Sequence, residues 1–95
     1  MRIAGYIEHP LLKITIFQMD NRFTVKFEDG TLEQAYKFRS SDSLHTAADV
    51  RRLVDGTFID GVLAQMKAMQ GVHASALSRF APADLGVDEP FDEII

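Results

Sequence analysis

Residues 2–39 alternate between apolar and polar positions, which is the pattern of strands that bury one face of a sheet. Turn residues interrupt the alternation three times, at His9-Pro10, Asp20-Asn21 and Asp29-Gly30. The pattern predicts four strands, over residues 2–8, 11–19, 22–28 and 31–39. Because the connections are short, we expect these strands to form an antiparallel meander in chain order.

The turns also predict which residues face each other across neighbouring strands. With tight turns, the expected pairs on the buried face are Ile7–Leu12, Ile3–Ile16, Ile14–Phe27, Ile16–Val25, Phe27–Leu32 and Phe23–Tyr36. All six pairs are apolar, so this face is expected to form the core. On the opposite face the same registers give two pairs of opposite charge, Lys13–Glu28 and Lys26–Glu33.

Beyond residue 40 the apolar residues follow the spacing of a helix. Thr46 is followed three residues later by Asp49, which is the pattern of a capping box. Apolar residues at helical spacing come next. The first helix is therefore predicted over residues 47–55.

A second helix is predicted over residues 57–80, because residues 57–60 repeat the capping pattern and Pro82 supplies a stop. The sequence leaves open whether residues 47–80 form two helices or one long helix that is kinked near Gly56. Either arrangement gives an α+β fold, a four-stranded antiparallel meander followed by helices packed on one face of the sheet.

The second helix is long for this sheet. Residues 57–80 would extend about 36 Å as a helix, whereas a strand of seven residues spans only about 23 Å. Complete coverage by the sheet would need a break near Gly71 or a diagonal crossing. A single domain is predicted over residues 1–82, and a compactly folded chain of 95 residues has an expected radius of gyration of about 12 Å.

Two apolar stripes run along this second helix, and only three of its residues are charged. A helix that covers a sheet on one side normally has a broader polar face. We therefore expect the stripes to lie partly in a homodimer interface, the alternative being that both belong to the core of a monomer. The candidate interface residues are Phe58, Ile59, Val62, Leu63, Met66, Met69, His73 and Leu77.

The composition is that of one globular domain, with 46 % hydrophobic and 25 % charged residues in a chain of 95. No apolar run reaches the roughly 18 residues of a membrane span, and nothing resembles a signal peptide, so a cytoplasmic location without membrane contact is expected. The chain has no cysteine, which excludes disulfides, zinc–thiolate sites and thiol catalysis.

The net charge of −4 is concentrated at the C-terminal end. Residues 83–95 hold five acids and no base, so ten basic and nine acidic residues remain elsewhere. Apolar residues alternate with these acids, as in a docking segment, and a frayed terminus is the alternative. We expect this acidic amphipathic tail to dock on the basic sheet face, in its own chain or in its dimer mate.

The predicted outer sheet face is basic and carries two aromatic residues. Its candidate binding residues are Arg2, Tyr6, Lys13, Phe17, Arg22, Lys26, Lys37 and Arg39. Some domains hold single-stranded nucleic acid or another anionic ligand on a face of this kind. An ordinary solvated face and a docking surface for a partner protein are the alternatives.

No catalytic, cofactor-binding or metal-binding residue is predicted. The three histidines stand alone, and no nucleotide-binding or hydrolase motif occurs. The sequence therefore favours a non-catalytic homodimeric protein-interaction or accessory domain with an unidentified protein partner. Nucleic-acid or anionic-ligand binding is the alternative, and an enzyme whose site residues lie far apart in the chain stays open.

Overall fold

The computed structural model describes residues 1–81 and has an α+β fold, a four-stranded sheet followed by two helices. The elements are β1 (Arg2–Ile7), β2 (Lys13–Met19), β3 (Arg22–Glu28), β4 (Glu33–Arg39), α1 (Ala47–Leu53) and α2 (Gly56–Phe80). The strands lie side by side in chain order, and every neighbouring pair is antiparallel. The predicted meander with two following helices is therefore confirmed. Residues 83–95, predicted as an acidic tail, lie outside the described residues.

The β2–β3 hairpin has the predicted register. The three expected pairs are all present, Ile14–Phe27, Ile16–Val25 and Lys13–Glu28. Asp20, the first residue of the two-residue turn, has a φ of 46°, and hairpin turns of this length favour such a positive value.

The β3–β4 register differs from the prediction by two residues. Phe27 lies opposite Gln34 instead of Leu32. The remaining expected pairs of this hairpin are wrong for the same reason: Phe23 lies opposite Phe38, Lys26 opposite Ala35 and Glu33 opposite Glu28. A shift of two residues keeps each side chain on its predicted face, because side chains alternate with period two.

The cause of this shift is a four-residue loop where a tight Asp29-Gly30 turn was expected. The Asp29 carboxylate accepts hydrogen bonds from the backbone N–H groups of Thr31 and Leu32. The Asp29 N–H in turn donates to the Leu32 carbonyl at 3.1 Å. An aspartate that bonds to the backbone ahead of it in this way stabilises a wider turn.

The β1–β2 register also differs from the prediction. Ile7 lies opposite Ile14 instead of Leu12, and Gly5 takes the place opposite Ile16. The pairing shifts between residues 3 and 5, as in a β-bulge, where one strand holds an extra residue.

This irregularity reverses the faces of the first two strand residues. Ile3 lies opposite Phe17 on the outer face and is 49 % exposed. Arg2 lies opposite Gln18, whose other neighbour is the buried Phe23, so Arg2 belongs to the helix-covered side and not to the outer face. Its guanidinium donates to Gln18 Oε1 at 2.8 Å.

Gly5 leaves space for the guanidinium of Arg51, a residue of α1. A Cβ at this position would lie only 2.4 Å from Arg51 Nη2. Any other residue at position 5 would therefore displace the arginine side chain. Arg51 Nη2 also lies within 3.5 Å of the Tyr6 carbonyl oxygen, to which it donates. The absence of a side chain at residue 5 is thus what permits the arginine to lie across the strand.

The capping box predicted for the first helix is confirmed. The Thr46 hydroxyl accepts from the Asp49 N–H at 3.1 Å, and the Asp49 carboxylate accepts from the Thr46 N–H at 3.1 Å. The His45 N–H also donates to Asp49, and this bond is the main reason why the pKa of the Asp49 carboxyl lies well below its usual range.

The second helix begins at Gly56, not at residue 57, and its cap is Asp55. The Asp55 carboxylate accepts from the Phe58 N–H at 2.9 Å. The capping pattern expected at Thr57 is therefore wrong, and the two helices are separated by Val54 and Asp55.

The core lies between the sheet and the two helices. Its buried apolar residues are Leu12, Ile14, Ile16, Phe23, Val25, Phe27, Val50, Val54, Val62 and Met66. α2 is continuous over 25 residues and runs past the sheet, so that every residue from Gly71 to Phe80 is exposed. The radius of gyration is 17.7 Å, above the compact expectation of about 12 Å.

Candidate interaction surfaces

The eight predicted interface residues on α2 divide into three groups. Val62 and Met66 are buried in the core of their own chain, at 1 % and 3 % exposure. Four others are half-buried and pack against that core, namely Phe58, Ile59, Leu63 and Met69. His73 and Leu77 are exposed. For the first half of α2, the two stripes therefore belong largely to the monomer core.

The exposed end of α2 continues the apolar side of the helix beyond the sheet. At about 100° per residue, Phe80 has nearly the same direction on the helix as the buried Val62. We call this surface the α2 strip; its residues are Met69, Val72, His73, Ala76, Leu77 and Phe80. Val72 is 72 % and Phe80 87 % exposed, and no other residue of the chain as far as Ala81 packs over them. The opposite side has only small or polar residues, among them Ala74 and Ser78.

The outer sheet face carries the predicted basic residues except Arg2. Seven of the eight candidates lie there by strand alternation: Tyr6, Lys13, Phe17, Arg22, Lys26, Lys37 and Arg39. Lys26 Nζ lies 5.5 Å from the centroid of the Phe17 ring and 4.0 Å from Glu28 Oε2. The middle of the face thus has its charge partly balanced.

At one end of this face three cations lie together without a carboxylate. Arg22 and Arg39 are direct cross-strand partners, and Lys37 lies two residues before Arg39 on the same side. Within residues 1–81 no acid comes within 4.0 Å of these three groups. Like charges directly opposite each other destabilise a sheet, so an anion bound here would relieve their repulsion.

A groove that the sequence did not indicate lies between β4 and α2. Its volume is about 560 Å³, and we call it the β4–α2 groove. Tyr36 lines it from the strand, and Phe58, Gly61, Gln65 and Met69 line it from the helix. The groove exists because α2 leaves the outer margin of β4 uncovered.

A buried polar link fixes the helix beside this groove. Gln34 is 8 % exposed, and its Nε2 donates to the Val62 carbonyl of α2 at 2.9 Å. The Tyr36 hydroxyl donates to Gln34 Oε1 at 2.5 Å. The Tyr36 ring packs edge-on against Phe58, with 5.1 Å between ring centroids.

The histidines take part in local structure or are solvated. His9 Nδ1 accepts from the Leu11 N–H at 3.1 Å, and His45 Nδ1 lies 3.1 Å from the Asp42 carbonyl oxygen. His73 belongs to the exposed α2 strip. Among residues 1–81 no three histidine, aspartate or glutamate side chains are grouped as a metal ion would require.

Comparisons with protein-family models, curated proteins and solved structures give no match. In the part of the chain up to Ala81, no helix combines the length and the apolar character needed to cross a membrane. The candidate surfaces therefore rest on geometry and charge: the α2 strip, the Arg22–Lys37–Arg39 cluster and the β4–α2 groove.

Proposed function

We propose that the chain is a non-catalytic protein-interaction domain of the cytoplasm that forms a homodimer through the α2 strip. The observation that carries this proposal is the exposure of Val72, Leu77 and Phe80, at 72 %, 44 % and 87 %. Contiguous apolar surface of this kind marks interaction sites on proteins. Neither the sheet nor α1 extends far enough to cover it.

A second copy of the chain is the occupant that fits this surface. A two-fold interface uses the same patch on both subunits, so the patch must be complementary to itself. An antiparallel pairing of two α2 strips sets Met69 against the partner's Phe80, and His73 against the partner's Ala76. Every member of the strip then faces another member, as in the side-chain layers of an antiparallel helix pair.

Charge is compatible with this pairing. Residues 71–80 contain one arginine, Arg79, and no lysine, aspartate or glutamate. The Arg79 guanidinium donates to the Ser75 hydroxyl of its own helix. In the antiparallel register Arg79 lies near the partner's Gln70. The two arginines are thus far apart, and the pairing brings no like charges together.

Light scattering on the intact chain tests the proposal. At high micromolar concentration we expect a mass of twice 10.6 kDa. The variant Leu77→Lys should raise the dissociation constant of the dimer by about 10- to 100-fold, because a central apolar contact is replaced by an ammonium group.

The matched control for this variant is Ser78→Lys, which places the same charge one residue later on the opposite side of α2. Lysine is favourable near a helix C-terminus at both positions, so the two variants differ only in the face they alter. A wild-type mass of 10.6 kDa, or equal dissociation constants for the two variants, would contradict the proposal.

Anion binding at the outer sheet face is a second candidate function, favoured by the direct Arg22–Arg39 pair and by Lys37 beside it. A fluorescent single-stranded oligonucleotide at low salt is a suitable probe, because contacts to phosphate weaken steeply as salt is raised. The double variant Arg22→Ala/Arg39→Ala should weaken its binding about tenfold or more. Unchanged anisotropy for this variant would exclude the cluster as a phosphate site.

A further inference from the structure

The outer margin of β4 has unpaired backbone groups. In an antiparallel pair, alternate residues direct both N–H and C=O toward the neighbouring strand, and those between them direct both groups away. Two hydrogen bonds at the ends of the β3–β4 ladder show which residues of β4 face β3: the Asp29 N–H donates to the Leu32 carbonyl, and the Ser40 N–H donates to the Asn21 carbonyl. The even-numbered residues of β4 therefore direct their backbone groups toward β3. Residues 33, 35, 37 and 39 therefore present N–H and C=O groups to the open edge.

The open edge of β4 runs along the β4–α2 groove. A strand added there would place alternate side chains in the groove and on the outer sheet face. A side chain that enters the groove would contact the aromatic rings of Tyr36 and Phe58. Gly61 leaves room for it, since a Cβ at this position would meet nothing within 4 Å.

The outer side of the same edge is cationic. Lys37 and Arg39 are exposed there, and neither forms an ion pair with an acid in residues 1–81. A strand that fits this edge should therefore carry an apolar residue for the groove and, next to it in sequence, an acid for the outer side.

Residues 82–95 of the chain have this composition. Phe91 is followed by Asp92, and the segment has five acids and no base. Along α2, Phe80 lies about 29 Å from Gly61 and about 17 Å from Met69. Ten residues, 81–90, can span up to about 33 Å, so Phe91 can reach the groove of its own chain.

We propose that residues 91–95 add to the edge of β4 as a fifth strand, with Phe91 in the β4–α2 groove and Asp92 beside Lys37. The segment pairs antiparallel or parallel with β4 through the N–H and C=O groups of residues 35 and 37. The site is thus one for an extended acidic peptide, and the chain supplies this peptide itself.

Hydrogen exchange of individual backbone amides in the full-length chain, followed by NMR, tests the proposal. The amides of residues 34, 36 and 38 are protected by β3 in any case, whereas those of Ala35 and Lys37 are protected only when a further strand is present. In the full chain we expect Ala35 and Lys37 to exchange at least about tenfold more slowly than in the variant Phe91→Ala. The control Leu85→Ala should keep the slow rates.

A second pair of variants tests the groove independently of the segment. Gly61→Leu fills the groove, whereas Gly71→Leu alters the exposed end of the same helix; a Cβ at either glycine meets open space. Both replacements favour the helix, so neither should unfold the chain. Gly61→Leu should accelerate exchange at Ala35 and Lys37 to the rates of Phe91→Ala, and Gly71→Leu should not.

Two results would overturn the proposal. One is rapid exchange at Ala35 and Lys37 in the wild-type chain, which would show an open edge. The other is slow exchange that persists in Phe91→Ala, which would show that a different strand, such as the partner's β4, covers it. Neither result bears on the mass of the dimer, so the two proposals fail separately.

Discussion

Replacing Phe27 by alanine should lower the free energy of unfolding by about 3 to 5 kcal/mol, as large-to-small changes of buried aromatics do. Phe27 is fully buried at the centre of the core, with Ile14 as its cross-strand neighbour on β2. Its ring lies 5.9 Å from that of Tyr36 and 5.3 Å from that of Phe58, so the truncation removes contacts to both the sheet and α2.

The control for Phe27 is Thr24→Ala, a change on the outer face of the same strand. Thr24 is only half-buried, and its replacement should cost less than about 1 kcal/mol. Urea unfolding followed by circular dichroism measures both values. Similar losses at the two positions would show that the assignment of faces in β3 is wrong.

Replacing Met66 by alanine should cost about 2 to 5 kcal/mol, because its side chain is 3 % exposed and belongs to the core. Leu77→Ala on the projecting end should change the stability of the monomer by no more than about 0.5 kcal/mol. The measurement is denaturant unfolding at a protein concentration too low for association, so that dimer formation does not contribute.

The contrast between these two residues separates the core half of α2 from the exposed half. An equal loss at Leu77 and Met66 in the dilute protein would mean that the end of α2 is packed within the monomer. It would also remove the physical basis for the α2 strip as an interface.

Alternation along the chain predicted the buried face of β2 to β4 correctly but did not determine the β3–β4 register. A slip of two residues, such as the one that places Gln34 opposite Phe27, leaves every side chain on the same face. The hydrophobic pattern therefore cannot detect it. The deciding contacts are the hydrogen bonds of the Asp29 carboxylate, which widen the turn.

The irregularity in β1 had a different origin. It moved Ile3 to the outer face and Arg2 to the helix side, although an apolar residue at position 3 favours the core. The shifted residue, Gly5, lies against the guanidinium of Arg51, a residue 46 positions further along the chain. A contact so distant in sequence leaves no trace in local periodicity.

The candidate surfaces were predictable to different degrees. The basic residues of the outer face followed from alternation, whereas the β4–α2 groove depends on where α2 lies across the sheet, which periodicity does not specify. The length of α2 relative to the strands indicated that the sheet could not cover all of a straight helix, but a break near Gly71 or a diagonal crossing stayed open, and nothing in the sequence indicated which half would be exposed.

The strand order of the sheet has a consequence for how the chain acquires its structure. Each strand pairs with the strand next to it in sequence, so the loops that must close are only a few residues long. Short closures cost little chain entropy, and low contact order goes with rapid folding. The meander can therefore form from pairings between segments that are adjacent in the chain, whereas the contact of α1 with β1 joins residues more than 40 positions apart.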